Sequence, residues 1–249
     1  MKPRELPADP DPAAVLETLD RDGIWRIDDV PCGDDPHGWV LAFSRELGAV
    51  VPQYGQDVVE IRPKEGAAAN GPFGMGAFPL HTDGIFRRDG LCPDLVVMLC
   101  VRPGEGGEHL TVDARRVIEG LRGATAGRLE DLLTGTITFL PAGSVPTGTE
   151  AGRVFAVAPK TEPVSDLYGG PILQPATRRL RYSTTLMTPM HPEFAAFSAA
   201  LNQAAAPLPD IRTGTLWVVD NNRMLHGREA IGTDDRLMLR VHVVRTGQA

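Results

Sequence analysis

The stretch FPLHTDGIF, residues 78–86, places His81 and Asp83 two positions apart. Both side chains are common metal donors, but a lone His-x-Asp is a pattern that chance supplies readily. Its meaning depends on what the rest of the chain brings to it. The remaining histidines are His37, His109, His191, His226 and His242. His37 lies at a Gly/Pro-rich helix start, and His191 precedes a proline at another. His242 sits inside an alternating strand and could face either way. His226 stands in DNNRMLHGREAIGTDDRLMLR, residues 220–240, after a strand and a turn, with Arg236 and Arg240 ten and fourteen positions further on.

Composition bounds the function. With 249 residues, the chain is read as a single domain spanning 1–249. Its 42% hydrophobic and 23% charged residues are those of a globular protein. The 32 acidic residues outnumber the 25 basic ones, for a net charge of −7, and no Lys/Arg-rich run occurs. The electrostatic footprint of a nucleic-acid binder is missing. Cys32, Cys92 and Cys100 form no CxxC pair, an odd and sparse set that fits a reducing compartment rather than a disulfide framework. The N-terminal MKPRELPADPDP has no apolar core of a signal peptide, and no 18-residue apolar run exists. A cytoplasmic protein with a small-molecule substrate, no nucleic-acid partner and no membrane contact is expected. A homo-oligomer is compatible with this reading.

The pattern predicts helices over 11–20, 36–47, 113–122, 126–134 and 191–205. Asp11–Pro12 is a cap and first-turn signal, and Gly48 and Pro207 are stops. Strands are predicted at 24–29, 57–62, 94–101, 109–113, 135–140, 153–158, 179–184, 214–220 and 236–245. DLVVMLCV (94–101) is apolar enough to be buried on both faces. The Gly/Ala-rich segment 63–77 reads as a long loop, of the kind that forms lids. Strands dominate the centre and the C-terminal half. The expected fold is therefore mainly β with added helices, around a double-stranded β-helix (jelly-roll, cupin-like) core.

Two histidines and one carboxylate are the donor set that holds one face of a non-haem Fe(II) and leaves the opposite face open. An arginine downstream has a chemical reason as well. The co-substrate 2-oxoglutarate carries a far carboxylate that needs a permanently charged, bidentate partner. FPLHTDG, PGEGGEHLTVDAR (103–115) and DNNRMLHGR…DDRLMLR together resemble the taurine dioxygenase/clavaminate synthase-like superfamily of Fe(II)/2-oxoglutarate-dependent oxygenases, in order from about residue 50 to residue 245. The resemblance implies His81, Asp83 and His226 as iron ligands and Arg236 as the clamp on 2-oxoglutarate. Arg240 would be a second arginine that meets an anionic substrate group or supports the first. Which arginine takes which role is open. His109 stands where many relatives carry Thr or Ser against 2-oxoglutarate, so its role there, or toward substrate, is open too.

The implied reaction consumes O2, releases succinate and CO2, and oxidises an unactivated C–H bond of a small polar substrate such as an amino acid or a natural-product intermediate, as in secondary metabolism. Asp83 stands where related halogenases have Gly or Ala, which favours hydroxylation. The competing readings are an iron oxygenase of the same fold that does not use 2-oxoglutarate, and a non-catalytic jelly-roll binding protein. Other residues carry blander expectations. Arg228 is expected to pair structurally, and Asp220 and Asn221 to shape the turn that presents His226. Gln53 and Tyr54 are candidates for substrate contact, Arg87 and Arg88 surface charges, and Trp25, Trp39 and Trp217 core residues.

Overall fold

The computed structural model describes residues 10–31, 33–85, 87, 91–125, 128–135, 137–140, 154–157, 170–174, 176–177, 179–184, 187–188 and 192–246. In chain order the elements begin with α1 (Pro12–Asp22), β1 (Ile24–Ile27), α2 (Pro36–Leu47), β2 (Ala49–Val51), β3 (Val59–Ile61) and β4 (Phe78–His81). They continue with β5 (Leu95–Arg102), β6 (His109–Asp113), α3 (Ala114–Thr125), α4 (Arg128–Thr134), β7 (Ile137–Leu140) and β8 (Val154–Val157). The last are β9 (Met187–Thr188), α5 (Pro192–Ala204), β10 (Ala206–Pro207), β11 (Leu216–Asp220), β12 (Met224–Arg228) and β13 (Leu237–Val244).

Two antiparallel sheets form the core. The larger has the order β1-β11-β5-β13-β2, with β3 also paired to β13. The smaller has the order β10-β6-β12-β4. A third, short sheet joins β7, β8 and β9. The expected jelly-roll class is what these sheets build.

Side-chain alternation explains the layering. Along β5, Leu95, Val97 and Leu99 pack outward against Val15 and Leu19 of α1 and Val40, Phe43 and Leu47 of α2. Val96, Met98 and Cys100 face inward with Trp217, Val219 and Met238. This strand is buried on both faces, as its unbroken apolar run predicts. The smaller sheet turns Leu80, Val112 and Leu225 outward onto α3, α4 and α5. Its inner face meets that of the larger sheet, and the site lies between them.

The helix ends follow their signals. Asp11 Oδ1 accepts from Ala13 N (3.1 Å), and Gly23, at φ 78°, donates to Leu19 O (2.8 Å). Helix α2 spans the predicted residues, and Asp35 caps it through Gly38 N (2.9 Å). One predicted strand is not regular. Residues 179–184 make only isolated bridges, Leu173↔Leu180 and His81↔Ser183. Arg181 there is fully buried and donates to the carbonyls of Ile85 and Arg87. Of the predicted elements, parts of 126–134, 135–140, 153–158 and 191–205 lie outside the described residues, as do Cys32, Arg88 and His191.

Candidate metal centre and cavity

Strands β4 and β12 bring the donors together. His226 and His81 are register partners, and their ring centroids lie 4.6 Å apart. Asp83 follows two residues after His81, beyond the strand end. One donor atom from each of His81, Asp83 and His226 can be chosen so that all lie within 4.8 Å of one another. His81 Nδ1 donates to Pro79 O (2.8 Å), which leaves the lone pair on Nε2. That Nε2 is buried, has no hydrogen-bond partner, and stands 3.4 Å from Asp83 Oδ1. Backbone-fixed tautomers of this kind orient histidine ligands. The donor set and the unpartnered Nε2 fit a divalent metal held by two imidazoles and one carboxylate.

Asp83 is held from both ends. Asn221 accepts from its backbone N–H (2.8 Å) and donates to its carbonyl (3.0 Å), and donates also to Pro93 O (2.9 Å). The turn after β11 was expected only to present His226. It also grips the segment that carries the other two donors, while Asp220 makes the local turn by accepting from Asn222 N (3.0 Å). The Asp83 carboxylate receives Arg240 Nη1 (3.0 Å to Oδ2, 3.3 Å to Oδ1) and His242 Nε2 (2.8 Å to Oδ2). Burial opposes ionisation of Asp83, but Arg240 and His242 outweigh it and hold the carboxyl well below its ordinary value. Burial pushes the His226 imidazole down despite the nearby Asp83. It likewise pushes His242 down to about 4.

Arg236 lies elsewhere. It is buried, and its Nη1 donates to the carbonyls of Pro103 (2.8 Å) and Gly106 (3.0 Å), while Nη2 is buried without a partner. The PGEGG turn is shaped to receive it. Gly107 has φ 68°, and a Cβ there would come within 2.9 Å of Arg236 Nη1. His109 has a buried Nε2 without a partner. Burial, with Arg236, His226 and Arg228 nearby, holds its pKa well below that of a free imidazole. Sequence spacing left the two arginines interchangeable; the structure puts Arg240 on Asp83 and Arg236 on the 103–107 turn.

A partly open pocket adjoins the donors. Val96, Met98, Trp217 and Val219 of the larger sheet line one side. Phe78, His81, His109, Thr111, His226 and Arg228 of the smaller sheet line the other, and Arg240, Ile61 and Pro72 complete the wall. Trp217, expected in the core, is buried, yet its ring faces this cavity and meets the His109 ring at 4.7 Å. Trp25 and Trp39 do pack in the core, around Phe43.

Arg228 pairs structurally, as expected, and with a particular partner. It donates to the carbonyls of Gly71 (3.3 Å), Gly74, Gly76 (2.9 Å) and Glu229 (3.1 Å). Burial, with Arg236 nearby, lowers its pKa to about 10. The 63–77 loop is thereby fastened over the cavity, to which it contributes Pro72. It is tightly wound: a Cβ on Gly74 would lie 2.1 Å from Ala68 O. Tyr54 is exposed and lies against Phe73 of this loop (5.7 Å), and Gln53 is buried with neither amide atom bonded. Arg87 donates to Pro52 O (3.1 Å), and His37 pairs with Glu60 at the surface (3.2 Å). His242 and Asn221 are the site residues that sequence reasoning missed. Alternation along 238, 240 and 242 would have placed His242 on the face of Arg240.

Among the described residues, no helix is long and apolar enough to cross a membrane. No curated protein sequence matches the chain. The solved structures it resembles include an asparagine oxygenase in complex with Fe(II), 2S,3S-3-hydroxyasparagine and succinate (TM-score 0.70, 19% identity, covering 94% of this chain and 78% of that one). The non-heme iron oxygenase OrfP in complex with Fe and alpha-ketoglutaric acid is similar too (0.68, 15%, 93% and 78%). So is the PvcB protein from Pseudomonas aeruginosa (0.64, 19%, 94% and 80%). At these identities the likeness is one of fold. The sequence itself matches, over residues 2–242, the family described as "Taurine catabolism dioxygenase TauD, TfdA family", and the chain belongs to that family.

Proposed function

We propose that the protein is a Fe(II)- and 2-oxoglutarate-dependent dioxygenase that hydroxylates a small, amino-acid-like substrate. The observation that carries this reading is the meeting of His81, Asp83 and His226 within 4.8 Å beside a pocket walled largely by apolar side chains. When bound, the iron with 2-oxoglutarate and O2 would supply the oxidising power for an unactivated C–H bond, with succinate and CO2 released.

The residues of the chain do the rest. His81, Asp83 and His226 would hold the metal on one side only. Arg236 Nη2, a buried donor without an acceptor, suits the far carboxylate of 2-oxoglutarate, and the buried, unpartnered Nε2 of His109 would join it in the tautomer that carries its proton there. The apolar walls from Trp217, Met98 and Val96, and the loop fastened by Arg228, exclude water from the reacting centre. Arg240 keeps a buried, unpartnered Nε–H beside its contact with Asp83, which suits an anionic group on the substrate. Asp83 fills the position through which a halide would reach the metal, which favours hydroxylation. The amino-acid substrate class is supported by the ligands of similar folds, hydroxyasparagine in the asparagine oxygenase and (3S)-hydroxy-L-Arg in OrfP.

The test is an anaerobic titration of the purified protein with Fe(II) and then 2-oxoglutarate, followed by its visible charge-transfer band. Wild type is expected to develop the band, and His81→Ala to lack it. A wild type without the band, or a variant that keeps it, removes the assignment.

A further inference from the structure

We infer that His242 is a positioning residue for the candidate metal centre: with Arg240 it engages Oδ2 of Asp83, so that Oδ1, which keeps only the longer Arg240 contact, is the less engaged oxygen of the carboxylate. This rests on the reading of His81, Asp83 and His226 as metal ligands. His242 Nε2 lies 2.8 Å from Oδ2, and Arg240 Nη1 lies 3.0 Å from the same atom and 3.3 Å from Oδ1. His81 Nε2, the unpartnered donor, faces Oδ1 at 3.4 Å. The two oxygens of Asp83 are thus unequal. Oδ2 carries His242 and the shorter Arg240 contact and stands 3.7 Å from His226 Nε2, while Oδ1 carries only the longer Arg240 contact and is turned to His81.

The hold is rigid because of where His242 sits. It is 3% exposed, on a strand paired on both sides, opposite Val96 of β5 and Val51 of β2. Asp83, by contrast, follows the end of β4, where no strand partner fixes its side chain. The bond from His242 therefore ties a residue carried by one sheet to the middle of the other.

Packing alone does not account for a histidine here. Its Nδ1 is buried with no hydrogen-bond partner, and such an atom costs about 1–3 kcal/mol. Phenylalanine would fill the place without that cost, so the residue is explained by what Nε2–H does. A carboxylate that offered a metal both oxygens would take two coordination positions. One that is fixed through Oδ2 takes one, and leaves room for a chelating co-substrate and for O2. Groups that orient metal ligands in this way are worth about 10–100-fold in metal affinity.

Co(II) titration of the metal-free protein tests this without turnover. His242→Phe keeps the shape and loses the donor; His242→Gln keeps an N–H at similar reach. His242→Phe is expected to weaken Co(II) binding about 10–100-fold and to change the visible d–d spectrum, with His242→Gln restoring most of both. If His242→Phe matches wild type in affinity and spectrum, or if His242→Gln fails as fully as His242→Phe, the positioning role is overturned. If wild type binds no Co(II), or His81→Ala binds it equally well, the metal centre itself is wrong and the inference falls with it. Should His242→Phe not fold, the infrared carboxylate bands of 13C-aspartate-labelled, Co(II)-loaded wild type decide. A wide splitting between antisymmetric and symmetric stretches, from an aspartate bound through one oxygen, supports the inference; a narrow one from a chelating carboxylate overturns it.

Discussion

His81 and His226 face each other as register partners across β4 and β12, with ring centroids 4.6 Å apart. Two residues 145 positions apart in sequence (226 − 81) therefore become neighbours through backbone pairing alone. Replacing either with alanine should remove metal binding and lower turnover by about a thousandfold or more, since the remaining donors cannot complete the site. Succinate release in the presence of Fe(II) and 2-oxoglutarate checks this; a variant within tenfold of wild type refutes it.

Asp83→Ala should destabilise the metal-free protein as well as empty the site. Arg240 and His242 are both buried on this carboxylate, and its removal leaves a buried cation unpaired. Breaking a buried pair in this way costs about 3–5 kcal/mol. Urea unfolding without metal measures it, and a loss under about 1 kcal/mol would show that the pairing is dispensable.

Arg236→Lys should raise the half-saturating concentration of 2-oxoglutarate by about 10–100-fold, because an ammonium cannot reproduce the planar fork. Arg236 is also seated on the carbonyls of Pro103 and Gly106, geometry that lysine satisfies poorly. Steady-state kinetics with 2-oxoglutarate as the varied substrate reads the effect, while the Fe(II) requirement should be nearly unchanged.

His109 gives the metal-free protein a pH dependence of stability. Burial, with Arg236, His226 and Arg228 nearby, keeps it neutral well below pH 6.5, whereas the unfolded chain protonates it near that value. Between its folded pKa and about 6.5 the unfolded state binds the extra proton, so stability falls as pH falls, by up to about 1.4 kcal/mol per pH unit. His109→Asn should flatten the fall of the urea midpoint from pH 6.5 to 5. An unchanged slope would mean that the imidazole is solvated.

Arg228→Gln should release the 71–76 segment, whose carbonyls it holds, and make the 63–77 loop at least about tenfold more sensitive to limited proteolysis. Thermal unfolding of the two sheets should change far less than cleavage within the loop.

The legible parts of the fold are those with apolar periodicity. The run in β5 and the helical stripe of α2 each have a buried hydrophobic partner, and burial enforces what the pattern implies. Strands β4 and β12, which carry the donors, were not predicted. They are four and five residues long, hold Pro79 and Gly227, and turn polar side chains inward, so they offer no apolar alternation to read. The grouping of His81, Asp83 and His226 was legible through the resemblance of their motifs to a known family rather than through any packing pattern. The division of labour between Arg236 and Arg240 was not, since it depends on a turn at 103–107 and on the reach of β13 toward Asp83. Asn221 shows the same limit: an Asx residue in a turn signals the turn, while its hold on Asp83 is a tertiary fact.

The division of the cavity between two sheets has a consequence for remodelling it. Val96, Met98 and Trp217 hang from strands that supply no donor atom to the candidate metal centre and no grip on the 63–77 loop. Exchanging them for larger or smaller residues changes the shape offered to a guest while His81 and His226 stay in register on β4 and β12. Positions 240 and 242 on the neighbouring strand are different, because each change there is transmitted to Asp83. The structure thus separates a permissive wall, where new specificities can be drafted, from a strand whose side chains must be kept for the centre to remain assembled.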